Sequence, residues 1–313
     1  MKNKLISFLL SFIFLYSLEA KEWSLKSIDF TFEDDLFYQT DCFYTYGSKL
    51  LFLFQREKRG EYISFAFTNK MYTPEDLEAK EPIYNDVAYA GYINVETALY
   101  ERENNQLSTY VFQLGLIGPE TRMDRLQIFM HQLTSSDIPK GWDNQLNNEV
   151  TFQVNYNKKY RYSYEKNIFG SDSVLIPEYG FDLGNVSTRI YAGMMFRVGN
   201  AKAMQNFGAY AIDNSPYGKI PFSEGQNYEK QFHFCLNLGM KFNGIAQDIF
   251  LDGNTNTGSH SVEKKHYTAN ILYGFSLTYN RFSIDWIHTY TTKQYIAQPS
   301  PHLYTSFQIL YHY

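Results

Sequence analysis

The 313-residue sequence is short of the features that mark several common protein classes. Its two cysteines, Cys42 and Cys235, are too few for a disulfide framework or a thiolate metal site. A formal net charge of −5 gives no reason to expect nucleic acid as a partner. The sequence has neither a Gly-x-Ser-x-Gly elbow nor a His-Glu-x-x-His zinc motif, and we see no repeat or low-complexity linker. We therefore expect one domain whose chemistry does not follow these motifs.

Long apolar runs are also scarce, except at the N-terminus. Lys2 and Lys4 precede an apolar run over residues 5–16, and Ala20 is a small residue at a plausible cleavage point. The run is shorter than the ~20 residues that a membrane-spanning helix needs. Residues 1–20 are therefore predicted to be a signal peptide, with an uncleaved anchor as the alternative. Beyond them, charged or amide residues interrupt every apolar run, and the mean hydropathy is negative.

Aromatic residues, by contrast, are abundant. They make up 18% of the chain, with 28 Tyr and 26 Phe. A soluble enzyme rarely needs so much tyrosine. An outer-membrane β-barrel does, because its aromatic girdles place rings in the hydrocarbon and hydroxyl groups at the lipid headgroups.

The apolar residues alternate with polar or small ones over long stretches. Every second position is apolar over residues 232–242 and 267–279, and the alternation resumes at Phe282 after a turn at Asn280-Arg281. A period of two indicates strands. Because so many long strands alternate, a closed barrel with an apolar outside and a polar lumen fits better than a large soluble β-protein.

The C-terminal residues suggest how such a barrel is oriented. Phe307, Ile309, Tyr311 and Tyr313 alternate up to the last residue, which resembles the assembly signal of bacterial outer-membrane barrels. This places the C-terminus in the periplasm. We predict an all-β, antiparallel transmembrane barrel over residues 21–313, with about twelve strands starting near residues 24, 43, 60, 86, 107, 148, 173, 186, 229, 265, 281 and 302. The longest outer loop is then 118–147, whereas the connection 199–228 is unusually long for the periplasmic side.

Two outer segments carry polar chemistry. The first outer turn concentrates Glu33, Asp34, Asp35 and Asp41 among hydroxyl residues such as Thr45, a set that can hold Ca²⁺ through oxygen ligands. A solvated acidic turn is the alternative.

In the longest loop, apolar residues at 126, 129, 130 and 133 have helical spacing, which predicts a short amphipathic helix on the rim that presents His131. Histidine is the usual general base near neutral pH, although the spacing alone favours a surface histidine without a role. Asp252-Gly253-Asn254, in the fifth outer loop, is first of all a structural corner. The predicted topology brings Asp34, Asp35, Thr45 and His131 to one outer rim.

These segments resemble the outer-membrane lipid A 3′-O-deacylase family, of the LpxR type. They follow the family order over essentially the whole chain after residue 20. The matching segments are Phe32-Glu33-Asp34-Asp35, Thr40-Asp41-x-x-Tyr44-Thr45-x-Gly47, Tyr72-Thr73-Pro74, Tyr89-Ala90-Gly91, Gly118-Pro119, His131, Gly141-Trp142-Asp143-Asn144-Gln145-Leu146, Asn148-Glu149, Phe250-Leu251-Asp252-Gly253-Asn254-Thr255, Ser259-His260-Ser261-Val262 and Lys264-Lys265.

The resemblance implies a twelve-stranded barrel that hydrolyses the 3′ ester of lipid A with Ca²⁺ and releases the acyloxyacyl chain. By position, His131 matches the catalytic histidine and Thr45 the active-site hydroxyl. Asp34 and Asp35 match an Asn–Asp pair, so that Asp34 departs from the family's usual Asn. Lys80 aligns loosely with a basic residue of the second outer loop.

The expected mechanism gives each of these residues a task. His131 takes a proton from water, and Ca²⁺ near Asp34 and Asp35 polarises the ester carbonyl. Asp35 either ligates the ion or orients the histidine, and Thr45 hydrogen-bonds the nucleophile or the oxyanion. Lys80 and Lys140 pair with lipid A phosphates.

We expect a monomer in the outer membrane, with its active site towards the outer leaflet. The rival functions are an outer-membrane phospholipase, a porin-like channel and an inactive relative that serves as an adhesin.

Overall fold

The computed structural model describes residues 23–35, 38, 42–56, 60–168, 170–208, 212, 219–221 and 229–313. The predicted signal peptide, residues 1–20, lies outside this range, as do Thr40 and Asp41 of the first outer turn.

The described residues form thirteen strand segments and two α-helices. The strands are β1 (Trp23–Asp34), β2 (Phe43–Arg56), β3 (Glu61–Thr73), β4 (Ala90–Glu103), β5 (Gln106–Ile117), β6 (Glu149–Tyr160), β7 (Tyr162–Ile168), β8 (Ser171–Gly184), β9 (Ser187–Gly199), β10 (Phe232–Asp248), β11 (Tyr267–Tyr279), β12 (Phe282–Thr291) and β13 (His302–His312). The helices are α1 (Met123–Thr134) and α2 (Ile249–Asp252), with 3₁₀ turns at Pro119–Thr121, Trp142–Asn144 and Ala201–Met204.

The strands close into an antiparallel barrel. β1 pairs with β13, and β6 pairs with β8, so the sheet closes on itself. β6 and β7 keep one register against β8, since Lys159 is opposite Glu178 and Tyr162 is opposite Leu175. These two segments are therefore one strand interrupted at Arg161, and the barrel has the predicted twelve strands. The predicted and observed strand starts differ most at β4, which was expected to start near residue 86 and begins at Ala90.

The wall is apolar outside, as the alternation predicts. On β10, Phe232 and Phe242 are 69% and 59% exposed, whereas the intervening Cys235 and Lys241 are buried. No helix in the described part of the chain is long and apolar enough to span a membrane.

The middle of the lumen is polar and its charges are paired. Glu178 lies 3.9 Å from the Lys159 ammonium and 3.1 Å from that of Lys241, and Asn157 donates to it at 3.2 Å. All four side chains are buried. Burying a charge without such partners costs several kcal/mol, so these groups stabilise the barrel as a set. Above them, the outer half of the lumen contains a cavity lined by polar residues such as Asn94, Gln113 and Asn270.

The described residues of the long connection between β9 and β10 lie in the lumen. Phe207 and Ile220 are buried in one cluster with Leu53 of β2 and Tyr62 of β3. Lys219, from the same connection, forms a buried ion pair with Asp285 of β12. The described residues of this connection therefore pack the lumen with apolar side chains and with a buried ion pair.

The buried charge set gives a test of the fold. Replacement of Glu178 by Leu leaves two lysines buried without a counter-charge, which costs about 3–5 kcal/mol of unfolding free energy. We expect Glu178→Leu in detergent micelles to unfold at a lower urea concentration than the wild type. The fraction of folded barrel is measured from its mobility on unheated gels. The matched control is Glu165→Leu, at an exposed position of β7. Equal midpoints for the two variants would contradict the proposed stabilisation.

Candidate functional site

The outer end of β1 divides its acidic residues between lumen and wall. Successive side chains of a strand point to opposite faces, so Glu33 faces the lumen and Asp34 faces outward, with Phe30 and Phe32. Asp34 is nevertheless buried, at 8% exposure. Its neighbours across the sheet are Tyr46 on β2 and Thr305 on β13.

Glu33 holds this strand end in place from inside. Its carboxylate accepts hydrogen bonds from the hydroxyls of Tyr44 (2.6 Å) and Ser306 (2.7 Å) and from the backbone N–H of Ile212 (2.5 Å). The Tyr44 ring can lie against β2 because residue 47 is glycine, where a Cβ would stand 2.0 Å from the Tyr44 hydroxyl. This explains why Tyr44 and Gly47 occur together.

Asp35 closes the first outer turn. Its carboxylate accepts a hydrogen bond from the backbone N–H of Cys42 at 3.1 Å, and its carbonyl accepts one from the N–H of Tyr38 at 2.9 Å. The side chain is buried. Asp35 thus ties the end of β1 to the start of β2, whereas Asp34 lies on the outward side of the wall.

Thr45 sits at an irregularity of β2. The register against β3 shifts between Tyr44 and Tyr46, which makes Thr45 the extra residue of a β-bulge. Its hydroxyl lies 2.6 Å from that of Thr73. Thr73 follows the lumen-facing Tyr72 and so lies on the outward side. Bulges are frequent beside active sites because they re-aim a side chain.

Helix α1 lies against the outside of the rim and confirms the predicted helix. Met123 at its start packs with Met71, Tyr89 and Trp142. The close approach depends on Gly91 of β4, where a Cβ would stand 2.3 Å from the Thr121 hydroxyl and 2.7 Å from Met123 Cβ. Gly91 therefore provides the space in which the helix rests.

The buried face of α1 differs from the predicted apolar face. Met123, Gln127 and His131 are buried, whereas Phe129 and Leu133 are 55% and 66% exposed. An interfacial helix can turn its apolar face to lipid, and the polar residues are then the ones that contact the protein.

His131 is held in one tautomer. Its Nδ1 lies 2.5 Å from the carbonyl oxygen of Asp137. Because a carbonyl only accepts, Nδ1 carries the proton and the lone pair is on Nε2. One turn earlier, the Gln127 side-chain oxygen accepts a hydrogen bond from Trp142 Nε1 at 2.8 Å, and the Trp142 ring lies 4.9 Å from that of Tyr89. The tryptophan thus fixes the helix that carries the histidine.

Tyr46 connects the two halves of the site. It is the cross-strand neighbour of Asp34, and it packs with Met71, Met123 and Leu126 beneath α1. The structure therefore brings Asp34, Thr45 and the helix of His131 onto one outward-facing area. We call this area the rim patch; it comprises Asp34, Thr45, Tyr46, Thr73 and the buried face of α1.

Comparison with known proteins decides the family. The model of a family described as outer membrane protein LpxR matches residues 5–313. The chain belongs to the LpxR family.

A solved structure of high similarity supports this fold. LpxR from Salmonella typhimurium matches with a TM-score of 0.79 at 15% identity, over 92% of this chain and all of that one. The β domain of the Bordetella autotransporter BrkA matches with a TM-score of 0.49 at 9% identity, over 93% of this chain and all of that one. No curated protein matches the chain. The protein is accordingly an outer-membrane barrel of the LpxR family.

The two predicted phosphate-binding lysines lie in adjoining outer loops. Lys140 donates its backbone N–H to the Leu77 carbonyl at 2.8 Å, and its ammonium lies 3.1 Å from the Glu78 carboxylate. The Lys80 carbonyl accepts a hydrogen bond from the Asn144 side chain at 2.7 Å. Both lysines are exposed. Exposed ion pairs are worth ~1 kcal/mol or less, so Glu78 does not prevent Lys140 from binding another anion.

The predicted cation site is incomplete in donor number. Asp34 and Asp35 offer the hard oxygen donors that Ca²⁺ prefers, so the donor type fits. Among the described residues, however, no group of three His, Cys, Asp or Glu side chains is placed to hold a metal. The remaining ligands of a bound ion would be hydroxyl or carbonyl oxygens, water or substrate.

Several residues of this site were not predicted from sequence. Gln127 could have been found from its i, i+4 spacing to His131, and Thr73 from its place in a matching segment.

The 252–254 segment forms a structural corner as expected, since Glu149 accepts hydrogen bonds from the backbone of Thr255 (2.9 Å) and the side chain of Asn254 (3.2 Å).

The contact at Gly91 can be tested without an assay of function. Gly91→Val should force the start of α1 away from β4, because the added atoms would overlap Thr121 and Met123. We expect trypsin to cut the folded barrel at Arg122 and Arg125 several times faster than in the wild type. The control is Gly258→Val, since a Cβ at Gly258 has no neighbour within 4 Å among the described residues. Unchanged cleavage of Gly91→Val would show that the helix does not depend on this contact.

Proposed function

We propose that this protein is a lipid A 3′-O-deacylase of the outer membrane, with His131 as the general base and Ca²⁺ as cofactor. Membership in the LpxR family supports lipid A deacylation as the reaction. The observation that supports the roles of His131 and Ca²⁺ is the rim patch. There, a histidine of fixed tautomer shares an outward-facing surface with Asp34 and Thr45. That surface faces the layer in which lipid A resides.

The chain's own residues supply the acid–base steps. The Asp137 carbonyl keeps the proton of His131 on Nδ1, so Nε2 takes a proton from water. The resulting hydroxide attacks the ester carbonyl carbon and forms a tetrahedral oxyanion. The C–O bond to the sugar then breaks, and the imidazolium returns its proton to the departing 3′ oxygen. The products are the free 3′ hydroxyl and the acyloxyacyl acid.

Thr45 is placed to serve the oxyanion. Its hydroxyl is paired with that of Thr73, and either can donate. In the complex with substrate, the Thr45 hydroxyl donates its hydrogen bond to the substrate oxygen instead of to Thr73. A donor aimed at a developing oxyanion contributes roughly 3–4 kcal/mol to the rate in comparable sites.

The Ca²⁺ ion would be held by Asp34, with Asp35 as second ligand or as the residue that fixes the turn. When bound, it would polarise the ester carbonyl and stabilise the negative charge. The Asp at position 34, where the family commonly has Asn, adds one negative charge towards the cation. Lys80 and Lys140 would pair with the lipid A phosphates from the adjoining loops.

The main experiment compares lipid A from cells that express the wild type and His131→Ala. We expect loss of the 3′ chains by mass spectrometry in the wild type only, and only without a Ca²⁺ chelator. His131→Ala should lower the rate by about 10²–10⁴-fold, the usual contribution of a general base. His266→Ala is the matched control, because His266 is an exposed histidine of the outer rim outside the rim patch.

Unchanged lipid A in every sample would overturn the proposal. Release of fatty acids from glycerophospholipids in the same membranes would assign the protein to the phospholipases instead. Deacylation that persists in the chelator would remove Ca²⁺ from the proposal and leave the histidine.

The porin alternative has its own test. Phe207 and Ile220 pack against the wall in the periplasmic half of the lumen, and Lys219 is paired with Asp285 there. We therefore expect the purified wild type to give no stable open-channel current in planar lipid bilayers, with a known porin as the positive control. Stable single-channel steps would contradict the packed lumen and favour the channel.

A further inference from the structure

A second histidine lies on the outward face, close to the rim patch but on the other side of β1. The cross-strand neighbours at this level are, in order around the wall, Tyr46, Asp34, Thr305, His288 and Tyr273. His288 of β12 is thus two strands from Asp34, with Thr305 between them. The neighbours Asp285 and Ile287 are buried on the lumen side, so His288 faces outward.

The hydrogen bonds of His288 define its protonation. Trp286 Nε1 lies 3.0 Å from His288 Nε2. Because an indole N–H only donates, Nε2 must accept, and the proton of the neutral ring is on Nδ1. Nδ1 lies 2.7 Å from the Tyr38 hydroxyl and 3.0 Å from the Thr305 hydroxyl. His288 therefore donates to Tyr38 as a neutral imidazole.

Tyr38 belongs to the first outer turn, three residues after Asp35. Its backbone N–H donates to the Asp35 carbonyl, and its ring meets that of His288 edge to face at 5.8 Å. On the other side of the imidazole, the ring of Tyr273 stacks at 5.2 Å. Burial, together with the hydrogen bond to Tyr273, raises the pKa of Tyr38, so its hydroxyl stays neutral. The turn that carries Asp35 is thereby fastened to the wall at β12.

We infer that His288 is a positioning residue, which acts through Tyr38 and Thr305 to hold the turn of Asp34 and Asp35 in its catalytic position. This inference rests on the proposed function. His288 lies two strands from Asp34, on the side away from β2, so we assign it no role as a base. Its effect is to prevent the turn from shifting relative to β2, on which Thr45 lies. A displacement of about 1 Å at an active site costs up to ~100-fold in rate.

The test measures kcat and KM for lipid A in micelles. His288→Phe keeps an aromatic ring for Tyr273 and Tyr38 but removes the hydrogen bonds to Trp286, Tyr38 and Thr305. We expect kcat to fall about 10- to 100-fold, as for other residues that orient a site, while KM changes less than about threefold. His288→Asn, whose amide can donate towards Tyr38 and accept from Trp286, should recover part of the loss. The control is His266→Phe, which we expect to match the wild type.

Coupling between the two residues separates positioning from a general loss of stability. Tyr38→Phe alone should lower kcat by a similar factor, and the double variant His288→Phe/Tyr38→Phe should be no slower than the slower single one. The unheated gel mobility of every variant reports whether the barrel is folded. Effects that multiply in the folded double variant, or a His288→Phe enzyme within twofold of the wild type, would overturn the inference.

A second measurement does not depend on lipid A being the substrate. In protein labelled with ¹⁵N-histidine, we expect one imidazole with a protonated Nδ1 and a bare Nε2, whose Nδ1 signal moves in Tyr38→Phe and whose Nε2 signal moves in Trp286→Phe. A His288 ring protonated on Nε2 would refute the hydrogen-bond arrangement. If these signals are as expected but the wild type does not deacylate lipid A, the proposed function has failed and the anchoring of the turn has not.

Discussion

In the hydrocarbon of a membrane, a backbone N–H or C=O has no water to bond with, and every strand must therefore have two neighbours. The pairings of β1 with β13 and of β6 with β8 meet this requirement. The interruption at Arg161 is tolerated because β6 and β7 keep the same register against β8. Once the sheet is closed, the lumen becomes a separate space that contains paired charges and buried residues of the β9–β10 connection, such as Phe207 and Ile220.

Closure also gives every strand two chemically different sides, one towards the lumen and one towards the outside. At the site, two adjacent residues of β1 face these two sides. Glu33 joins the lumen network with Tyr44 and Ser306, which fixes the end of β1. Asp34, the next residue, faces the outside of the barrel. The rigid inner contacts of one carboxylate thus determine where the other is presented. A site built in this way needs no separate domain, because successive side chains of a strand point to opposite faces of the sheet.

Much of the barrel could be predicted from the sequence because the pattern that identifies a strand lies within the strand itself. Alternation over residues such as 232–242 is visible without knowledge of any partner, and it located all twelve strands. The helix at Met123–Thr134 was predicted for the same reason. Its orientation was not, because helical spacing identifies an apolar face but not whether protein or lipid covers that face. Phe129 and Leu133 are exposed here.

The contacts that organise the site could not be predicted, because they join distant positions. Tyr38 and His288 meet only when β1 lies two strands from β12, which is decided by closure and register. The bulge at Thr45 depends on the pairing of β2 with β3, and the burial of Phe207 and Ile220 depends on the width of the lumen. His131 was proposed as the base because of a family resemblance, and its spacing alone predicts no more than a surface histidine.

The outward position of the rim patch gives the proposed lipid substrate a route within the membrane. A lipid that arrives there remains in its leaflet throughout and moves by diffusion in the plane, so it never has to carry its acyl chains through water. The frequency of encounters then depends on how many such lipids occupy a unit area of membrane and on how fluid that area is. Concentration in the surrounding medium has no direct part in it. Crowding or stiffening of the outer leaflet would slow such an enzyme without any change in the protein.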